Sequence, residues 1–437
     1  MKIRGLSRRQ FLRRAGQATS GIAVGLALPN VFLNRTRAAT GENPSEWVRV
    51  GFIGVGAQGL SNLNALMKHA VAVCDVDRNR LAAAAERVQK ARGGECKTFT
   101  DYRKLLEDPS IDAVCISTPD HWHALQTIHA CQAGKDVYCE KPLTLTIREG
   151  QVVVAIAQRT GRIVQTGSQQ RSDARFRRAC ELLRSGYLGR IGSVEVGLPG
   201  PNYAERARPL RVPDSAPPPE LDYDMWLGPA PWRPYNANRV HYLFRFFWDY
   251  SGGQMTNWGA HHLDIVQWAL DMDAGGPCRA EGYATYHPDG LFETPLTFEA
   301  SYEYPGGVRV TVHSPHPGGL SGCRFVCEKG VLRVGRGVLE TEPEELLANA
   351  PAELPVRLYE SKQHHQNWIE CIKTRRAPIC DAHVGHRSVT VCHLGNIAVR
   401  SGRVVRWDAR AERIVGDAKL AAWLDKPYRP PWKLPEV

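Results

Sequence analysis

Six residues constrain the fold of this chain more than any other stretch. Gly54-Val55-Gly56-Ala57-Gln58-Gly59 has glycine at its first, third and sixth positions. The apolar run from Val48 to Val55 reads as a short strand entering the glycines. Leu60 to Lys68 reads as a helix leaving them, and Ala70 to Cys74 as a second strand ending at Asp75. Strand, glycine turn, helix and acid-tipped second strand form the fingerprint of a dinucleotide-binding unit. Gly54 suits the tight turn, Gly56 the approach of backbone to a pyrophosphate, and Gly59 the close packing of helix on strand. The helix start, at Ala57 and Gln58, offers free N–H groups and the positive end of its dipole to phosphates. Asp75 is placed to accept from ribose hydroxyls and to repel a 2′-phosphate. NAD is therefore expected over NADP, with Arg78 and Arg80 close enough to temper the preference.

The same rhythm continues. Ile111 to Ser117 reads as a buried strand, followed by a helix through Ala133, a strand Asp136 to Cys139, a helix Ile147 to Thr160 and a strand Ile163 to Thr166. Strands alternating with helices specify a parallel sheet with right-handed crossovers. Past about residue 170 the pattern changes. Arg190 to Leu198 opens a different sheet, and residues 199–240 are rich in Pro, Arg and Tyr with little periodicity. Asn257 to Leu270 reads as one helix. Strand-like alternation over 279–338 predicts an antiparallel sheet, and Gln366 to Thr374 and Gly385 to Arg400 predict helices. The expected fold class is an α/β N-terminal Rossmann domain with helices on both faces of its sheet. To it is joined an α+β C-terminal domain with a large, mostly antiparallel sheet. The expected boundaries are 40–168 for the NAD-binding domain, 169–400 for the substrate and dimerisation domain, and 401–437 for a C-terminal tail.

The net charge of +11 suggests a polyanion partner until its location is considered. Eight basic side chains (Lys2, Arg4, Arg8, Arg9, Arg13, Arg14, Arg35 and Arg37) and no acidic ones lie in residues 1–39, which leaves about +3 elsewhere. Nucleic acid is thus not expected as a partner. Ser7-Arg8-Arg9-Gln10-Phe11-Leu12-Arg13 reads as a twin-arginine box. A weakly apolar stretch follows, and Thr36-Arg37-Ala38 puts small residues at the −3 and −1 positions of a cleavage site. Residues 1–39 are expected to be a twin-arginine signal segment. The protein would then be exported and periplasmic, released by cleavage or retained by the uncleaved signal as an anchor. The twelve cysteines lack CxxC spacing, and several sit in strand-like apolar runs, so buried free thiols are expected rather than disulfides.

Ser117-Thr118-Pro119-Asp120-His121-Trp122-His123 follows one buried strand and Glu140-Lys141-Pro142 the next. Loops at the carboxyl ends of parallel strands are where ligands sit in such a sheet. Ser117, Thr118, Pro119, His123, Glu140 and Lys141 accordingly join the expected cofactor contacts. These two loops, together with Gly259-Ala260-His261, resemble the Gfo/Idh/MocA family of glucose–fructose oxidoreductase and inositol dehydrogenase. Gly385-His386-Arg387-Ser388, Leu394-Gly395-Asn396-Ile397 and Arg406-Trp407-Asp408 look like a secreted bacterial branch of it. The resemblance implies that Lys141 touches substrate and nicotinamide, and that His261 faces the substrate. The family's Asp, one helical turn before that His, is Asn257 here.

Oxidising an alcohol needs a base for the hydroxyl proton. His261 suits that role by its ordinary titration range, with Lys141 stabilising the developing alkoxide. Asn257 can bond a sugar hydroxyl but carries no charge. Asp264 could orient the imidazole or simply pack, and His262 is expected to be structural. Gln169, Arg171, Arg245, Trp248 and Asp249, with His261, form the expected substrate wall, where aromatic faces and charged tips suit a polyhydroxylated ring. The bland alternative makes Asp249 a turn residue and its aromatic neighbours core. His364 and His365 lack a third ligand, so no metal site is expected.

The expected activity is NAD(P)-dependent oxidation of a sugar, polyol or glycoside at a CH–OH group. One alternative is a redox-neutral NAD-dependent glycoside hydrolase or lyase, although the tract Gly259-Ala260-His261-His262 differs from that of the glycosidase branch. Another is a catalytically silent sugar-binding protein. The expected partners are a small-molecule carbohydrate, the twin-arginine export machinery, and further copies of the chain in a dimer or tetramer.

Overall fold

The computed structural model describes residues 47–206 and 209–437; the expected signal segment lies outside them. The first half builds a six-stranded parallel sheet. Its elements in chain order are β1 (Val50–Ile53), α1 (Ala57–Ala65), β2 (Ala70–Cys74), α2 (Arg78–Arg92), β3 (Lys97–Phe99), α3 (Tyr102–Glu107), β4 (Ala113–Ile116), α4 (Asp120–Gln132), β5 (Asp136–Cys139), α5 (Ile147–Thr160) and β6 (Val164–Thr166). The strand order is β3-β2-β1-β4-β5-β6, and every neighbouring pair is parallel. β1, β4, β5 and β6 are buried along their whole length, and β1 and β4 accordingly read as nearly unbroken apolar runs. The order reverses between β1 and β4, opening a crevice at their carboxyl ends.

Three of the five helices in this half have their N-termini closed by side chains, and α1 and α4 do not. Asp77 caps α2 by accepting from the Asn79 and Arg80 amides, and α5 begins with a capping box between Thr146 and Glu149. At α1 the capping position is Gly56, which supplies no side-chain hydrogen bond, and no acid occupies the first turn. The N-terminal amides of this helix are thus left to a ligand.

The second half carries α6 (Ala174–Arg184), β7 (Ile191–Gly197), α7 (Tyr223–Leu227), α8 (Gly253–Asn257), α9 (Gly259–Ala269), β8 (Arg279–Thr285), β9 (Thr297–Glu303), β10 (Arg309–Ser314), β11 (Gly322–Cys327), β12 (Gly330–Gly335), β13 (Val338–Glu342), α10 (His364–Thr374), α11 (Ala382–Ser401), β14 (Val405–Asp408) and β15 (Arg413–Ile414). The strands form a nine-stranded sheet ordered β13-β12-β11-β7-β10-β9-β8-β14-β15. It is mixed: β7 and β10 pair in parallel and the other neighbours are antiparallel. The buried helix α11 packs on α5 and β6 of the first sheet and on β8 and β9 of the second, tying the two layers together.

Two expectations are corrected here. The helix foreseen over 257–270 is two helices meeting at Trp258, so Asn257 and His261 do not share one continuous helical face. The supposed tail beyond residue 400 contributes β14, which pairs with β8 because Val405 and Trp407 alternate inward onto the core. Further on, the chain returns to the first domain. Tyr428 donates to Glu149, Trp432 packs edge-on against Trp122 with ring centres 4.8 Å apart, and Arg429 donates to Asp224 and to the Gly228 carbonyl. All twelve cysteines are free and ten of them are buried. Among the described residues no helix is long and apolar enough to cross a membrane, and no group of three His, Cys, Asp or Glu side chains could hold a metal ion.

Candidate functional site

The crevice at the switch point is a cavity lined by Gly54, Gly56, Ala57, Gln58, Asp75, Ser117, Thr118, Pro119, His123, Glu140 and Lys141. Of the expected cofactor contacts only Gly59 is absent, because it works beneath the surface. A Cβ there would lie 2.0 Å from the Gly54 carbonyl oxygen, so any side chain would push α1 off the turn. Gly54 itself has φ +81°, and a Cβ would meet the Ser117–Thr118 peptide at 2.8 Å.

The Asp75 carboxylate accepts from the Val55 amide at 2.8 Å and from the Asp77 amide at 2.9 Å. These bonds aim it at the cavity and leave a lone pair on each oxygen for ribose hydroxyls. Burial pushes its pKa up, against the two amides and Arg80, which pull it down. The uncapped helix, the glycine turn and this acid together fit a dinucleotide.

The irregular segment before α8 forms the opposite wall. Met225, Trp226, His241, Tyr242, Phe244 and Arg245 line the cavity from that side. The segment is pinned to the nucleotide-binding domain: Asp222 N donates to Val76 O at 3.0 Å, Arg78 N to Glu220 O at 3.0 Å, and Trp122 Nε1 to Trp226 O at 3.1 Å. Arg245 belongs to the expected substrate wall; Met225, Trp226, His241, Tyr242 and Phe244 carry no local signal, because their role depends on a fold-back across some 100 residues.

A second cavity adjoins the first. Gln58, Glu140, Lys141, Tyr242 and Arg245 line both, and Gln169, Asn257, His261, Arg336 and His365 extend the second one. Glu140 organises the shared wall. One of its oxygens accepts from Gln58 at 3.1 Å, Asn62 at 3.0 Å and Gln169 at 3.0 Å. His123 bridges the two loops: its ring nitrogens lie 2.7 Å from the Pro142 and Thr118 carbonyl oxygens.

Lys141 Nζ donates to the Asn257 carbonyl at 2.7 Å and to Asn257 Oδ1 at 3.0 Å. The Asn257 amide is oriented by its Nδ2, which donates to Gln254 at 2.9 Å. Burial, with Arg245 adding repulsion, pushes the Lys141 ammonium down to about 8, even though Glu140 and Asp120 favour its charged form. Burial likewise drives His261 well below the ordinary imidazole range, with Lys141 and Arg336 reinforcing it, and among the described residues its buried Nδ1 has no hydrogen-bond partner.

Three members of the expected substrate wall lie elsewhere. Arg171 is a core residue, only 2% exposed, with its guanidinium bonded to Asp264 at 2.9 Å and to Asp273 at 2.6 Å. A buried arginine needs such partners, and Asp264 serves it and Ser388 rather than His261. Asp249 pairs with Arg233 at 2.6 Å, and Trp248 lies under Arg400, 4.1 Å from its guanidinium carbon. Neither lines either cavity. His262 is buried and stacks on Trp258, and His364 bonds Ser172 and the Thr166 carbonyl.

Comparison with known proteins agrees with this geometry. Residues 48–168 match the model of the oxidoreductase-family NAD-binding Rossmann fold, and residues 207–434 match that family's C-terminal alpha/beta domain. An alpha-N-acetylgalactosaminidase of Shewanella oneidensis is 33% identical over 179 residues, 36% of this chain and 38% of that protein. An uncharacterized oxidoreductase of Rhizobium meliloti is 33% identical over 153 residues, 34% of this chain and 44% of its own length. The matched stretch thus covers less than half of either relative. Among solved structures, the WlbA dehydrogenase from Bordetella pertussis, in complex with NADH and UDP-GlcNAcA, superposes with a TM-score of 0.62 at 21% identity, over 83% of this chain and 99% of that one. Scyllo-inositol dehydrogenase from Lactobacillus casei, with bound NAD(H) and scyllo-inositol, gives 0.59 at 16% identity over 82% and 99%. At those identities the superpositions speak for the fold alone. The two family models between them span most of the chain, and it belongs to the Gfo/Idh/MocA family of oxidoreductases, with an NAD-binding Rossmann domain.

Proposed function

We propose that this protein oxidises a CH–OH group of a sugar, polyol or glycoside, and that Lys141 is the base. One observation carries the reading: Lys141 stands on the wall shared by the dinucleotide crevice and the second cavity. The bound dinucleotide supplies the hydride acceptor. As a neutral amine, Lys141 has two N–H donors, and both are already directed at Asn257. Its lone pair is then free to take the substrate hydroxyl proton. The resulting ammonium has a third N–H to donate to the new carbonyl oxygen. Asn257 permits this cycle because it positions Nζ without holding it charged. His261, driven to its neutral form, serves the substrate as a hydrogen-bonding group. This revises the assignment of base expected from residue type alone. It also gives the uncharged Asn257 a place in the catalytic cycle.

The cofactor is held tightly and reoxidised in place by a second substrate. The fold-back segment over the crevice supports this, as does Arg429, which fastens that segment through Asp224 and Gly228. The twin-arginine box at Arg8 and Arg9 supports export to the periplasm in the secreted branch of the family. A released dinucleotide would be lost to dilution there. Self-association as a dimer or tetramer belongs to the same proposal.

The test is to denature the dialysed protein and assay the supernatant for nucleotide, then to screen sugars for reduction of the bound cofactor. Near-stoichiometric nucleotide with sugar-dependent reduction is expected. Less than roughly one tenth of a nucleotide per chain, with activity restored only by added NAD, would overturn tight retention. A second reading, redox-neutral glycoside cleavage, is favoured by the alpha-N-acetylgalactosaminidase relative. Release of aglycone from glycosides with no external acceptor would establish it.

A further inference from the structure

The second cavity has an unusual balance of charge. Four cations line it: Lys141, Arg175, Arg245 and Arg336. The carboxylates lining it are Glu140 and Asp173. Asp173 caps α6 and is paired with Arg175 at 2.9 Å. Glu140 is only 4% exposed and accepts from three side-chain amides and the Lys141 amide. Neither acid is left to answer Arg245 or Arg336.

Those two arginines are held by aromatic faces instead of by carboxylates. The Arg245 guanidinium carbon lies 4.6 Å from the Tyr242 ring centre and 4.7 Å from that of Phe244, and its Nη1 donates to the Tyr242 carbonyl at 2.9 Å. Arg336, in the turn between β12 and β13, lies 4.8 Å from the Trp258 ring centre. Among the described residues neither has a carboxylate within ion-pair distance. Nearby arginines show the contrast: Arg233 holds both Asp249 and Glu293, and Arg171 holds Asp264 and Asp273. A guanidinium stacked on an aromatic face keeps the edge of its fork free, and that edge matches an oxyanion.

Resting on the sugar-oxidoreductase reading, we infer that the substrate is an acidic sugar, whose oxyanion is gripped by Arg336 and Arg245 while the reacting CH–OH meets Lys141. Neutral groups of the cavity, among them Gln170 and His261, suit the hydroxyls of a sugar ring, and what they leave unanswered is the charge of Arg245 and Arg336. An oxyanion resolves the mutual repulsion of the cations. It also complements the positive charge of an oxidised nicotinamide. Arg336 lines only the second cavity, so it separates substrate recognition from cofactor binding.

The experiment compares matched sugars on the cofactor-loaded protein: glucuronate and galacturonate, glucose and galactose, and glucose 6-phosphate. Cofactor reduction and calorimetric binding are read separately, in wild type and Arg336→Gln. The expected result is a kcat/KM for an acidic sugar that exceeds its neutral counterpart by about tenfold or more, with Arg336→Gln erasing about tenfold of that preference. The uronate and phosphate arms identify which oxyanion is used, and either supports the inference. Equal or better turnover of neutral sugars overturns it and leaves the dehydrogenase reading standing. So does a variant that slows both classes alike. Acid binding that Arg336→Gln removes, with no sugar reducing the cofactor, upholds the acidic ligand and refutes the dehydrogenase reading. Absence of any binding or turnover of the acids overturns the inference.

Discussion

Replacing Asn257 with aspartate tests the proposed chemistry through a single atom. Asn257 Oδ1 lies 3.0 Å from Lys141 Nζ, so the substitution puts a carboxylate oxygen where an amide oxygen now sits. At that distance two unit charges attract by about 5 kcal/mol with an effective dielectric near 20, before the cost of burying the new charge. Opposite charges this close move a pKa by about one to three pH units. Arg245 and Arg336 face Lys141 with like charge, and Glu140 and Asp120 with opposite charge, which together with burial leaves it at about 8 in the native protein. A base must be deprotonated, so native kcat/KM for oxidation should rise with pH through about 8 and then level off. In Asn257→Asp the rise moves to about 9 to 11. At pH about 7.5 the neutral fraction of Lys141 falls from about a quarter to about 3% or less, a loss of roughly tenfold at the small end of the range. The assay is the initial rate of bound-cofactor reduction across pH, and at high pH the variant should regain the native plateau. An unchanged inflection in the variant would refute the assignment. A native rate that declines through about 8 would refute it too, because Lys141 would then act as the cation.

Other outcomes follow from the same geometry. Lys141→Ala should leave the fold intact and lower turnover by about two orders of magnitude or more, since the residue both takes the proton and donates to the product oxygen; near-native turnover would contradict this. Asp75→Ala should weaken discrimination against NADP more than it weakens dinucleotide binding overall, as read by titrating both cofactors. Equal losses for the two would remove Asp75 from the ribose site. Arg429→Ala breaks the bonds to Asp224 and Gly228 that fasten the segment over the crevice, and release of bound NAD should accelerate about tenfold in a dialysis time course. An unchanged release rate would show that the fold-back segment holds without its C-terminal fastening.

Much of the site was readable because it is local. The glycine turn, Asp75, and the loops at Ser117 and Glu140 each follow one strand of a parallel sheet, and that topology brings strand ends together. Their convergence on one cavity therefore follows from the strand–helix alternation alone. Residue type without location was less secure. Arg171, Trp248 and Asp249 suited a sugar by chemistry, yet each had a partner elsewhere: Asp264 and Asp273, Arg400, and Arg233. Those partners lie in other segments, so no local pattern could reveal them. Arg336 shows the reverse: an arginine in a hairpin turn looks solvated until the sheet carries that turn to the cavity.

The sequence by itself determined the sheet of the first domain, its cofactor class and the presence of Lys141 and His261 at the cavity beside the dinucleotide crevice, because periodicity and short motifs are properties of neighbouring residues. Tertiary structure alone decided how those groups ionise. Lys141 is drawn down to about 8 by burial and by Arg245, more than a hundred residues away in the chain, and burial makes His261 a poorer base than its residue type suggests. Desolvation and charge act through space, across cavities that exist only once distant segments have packed.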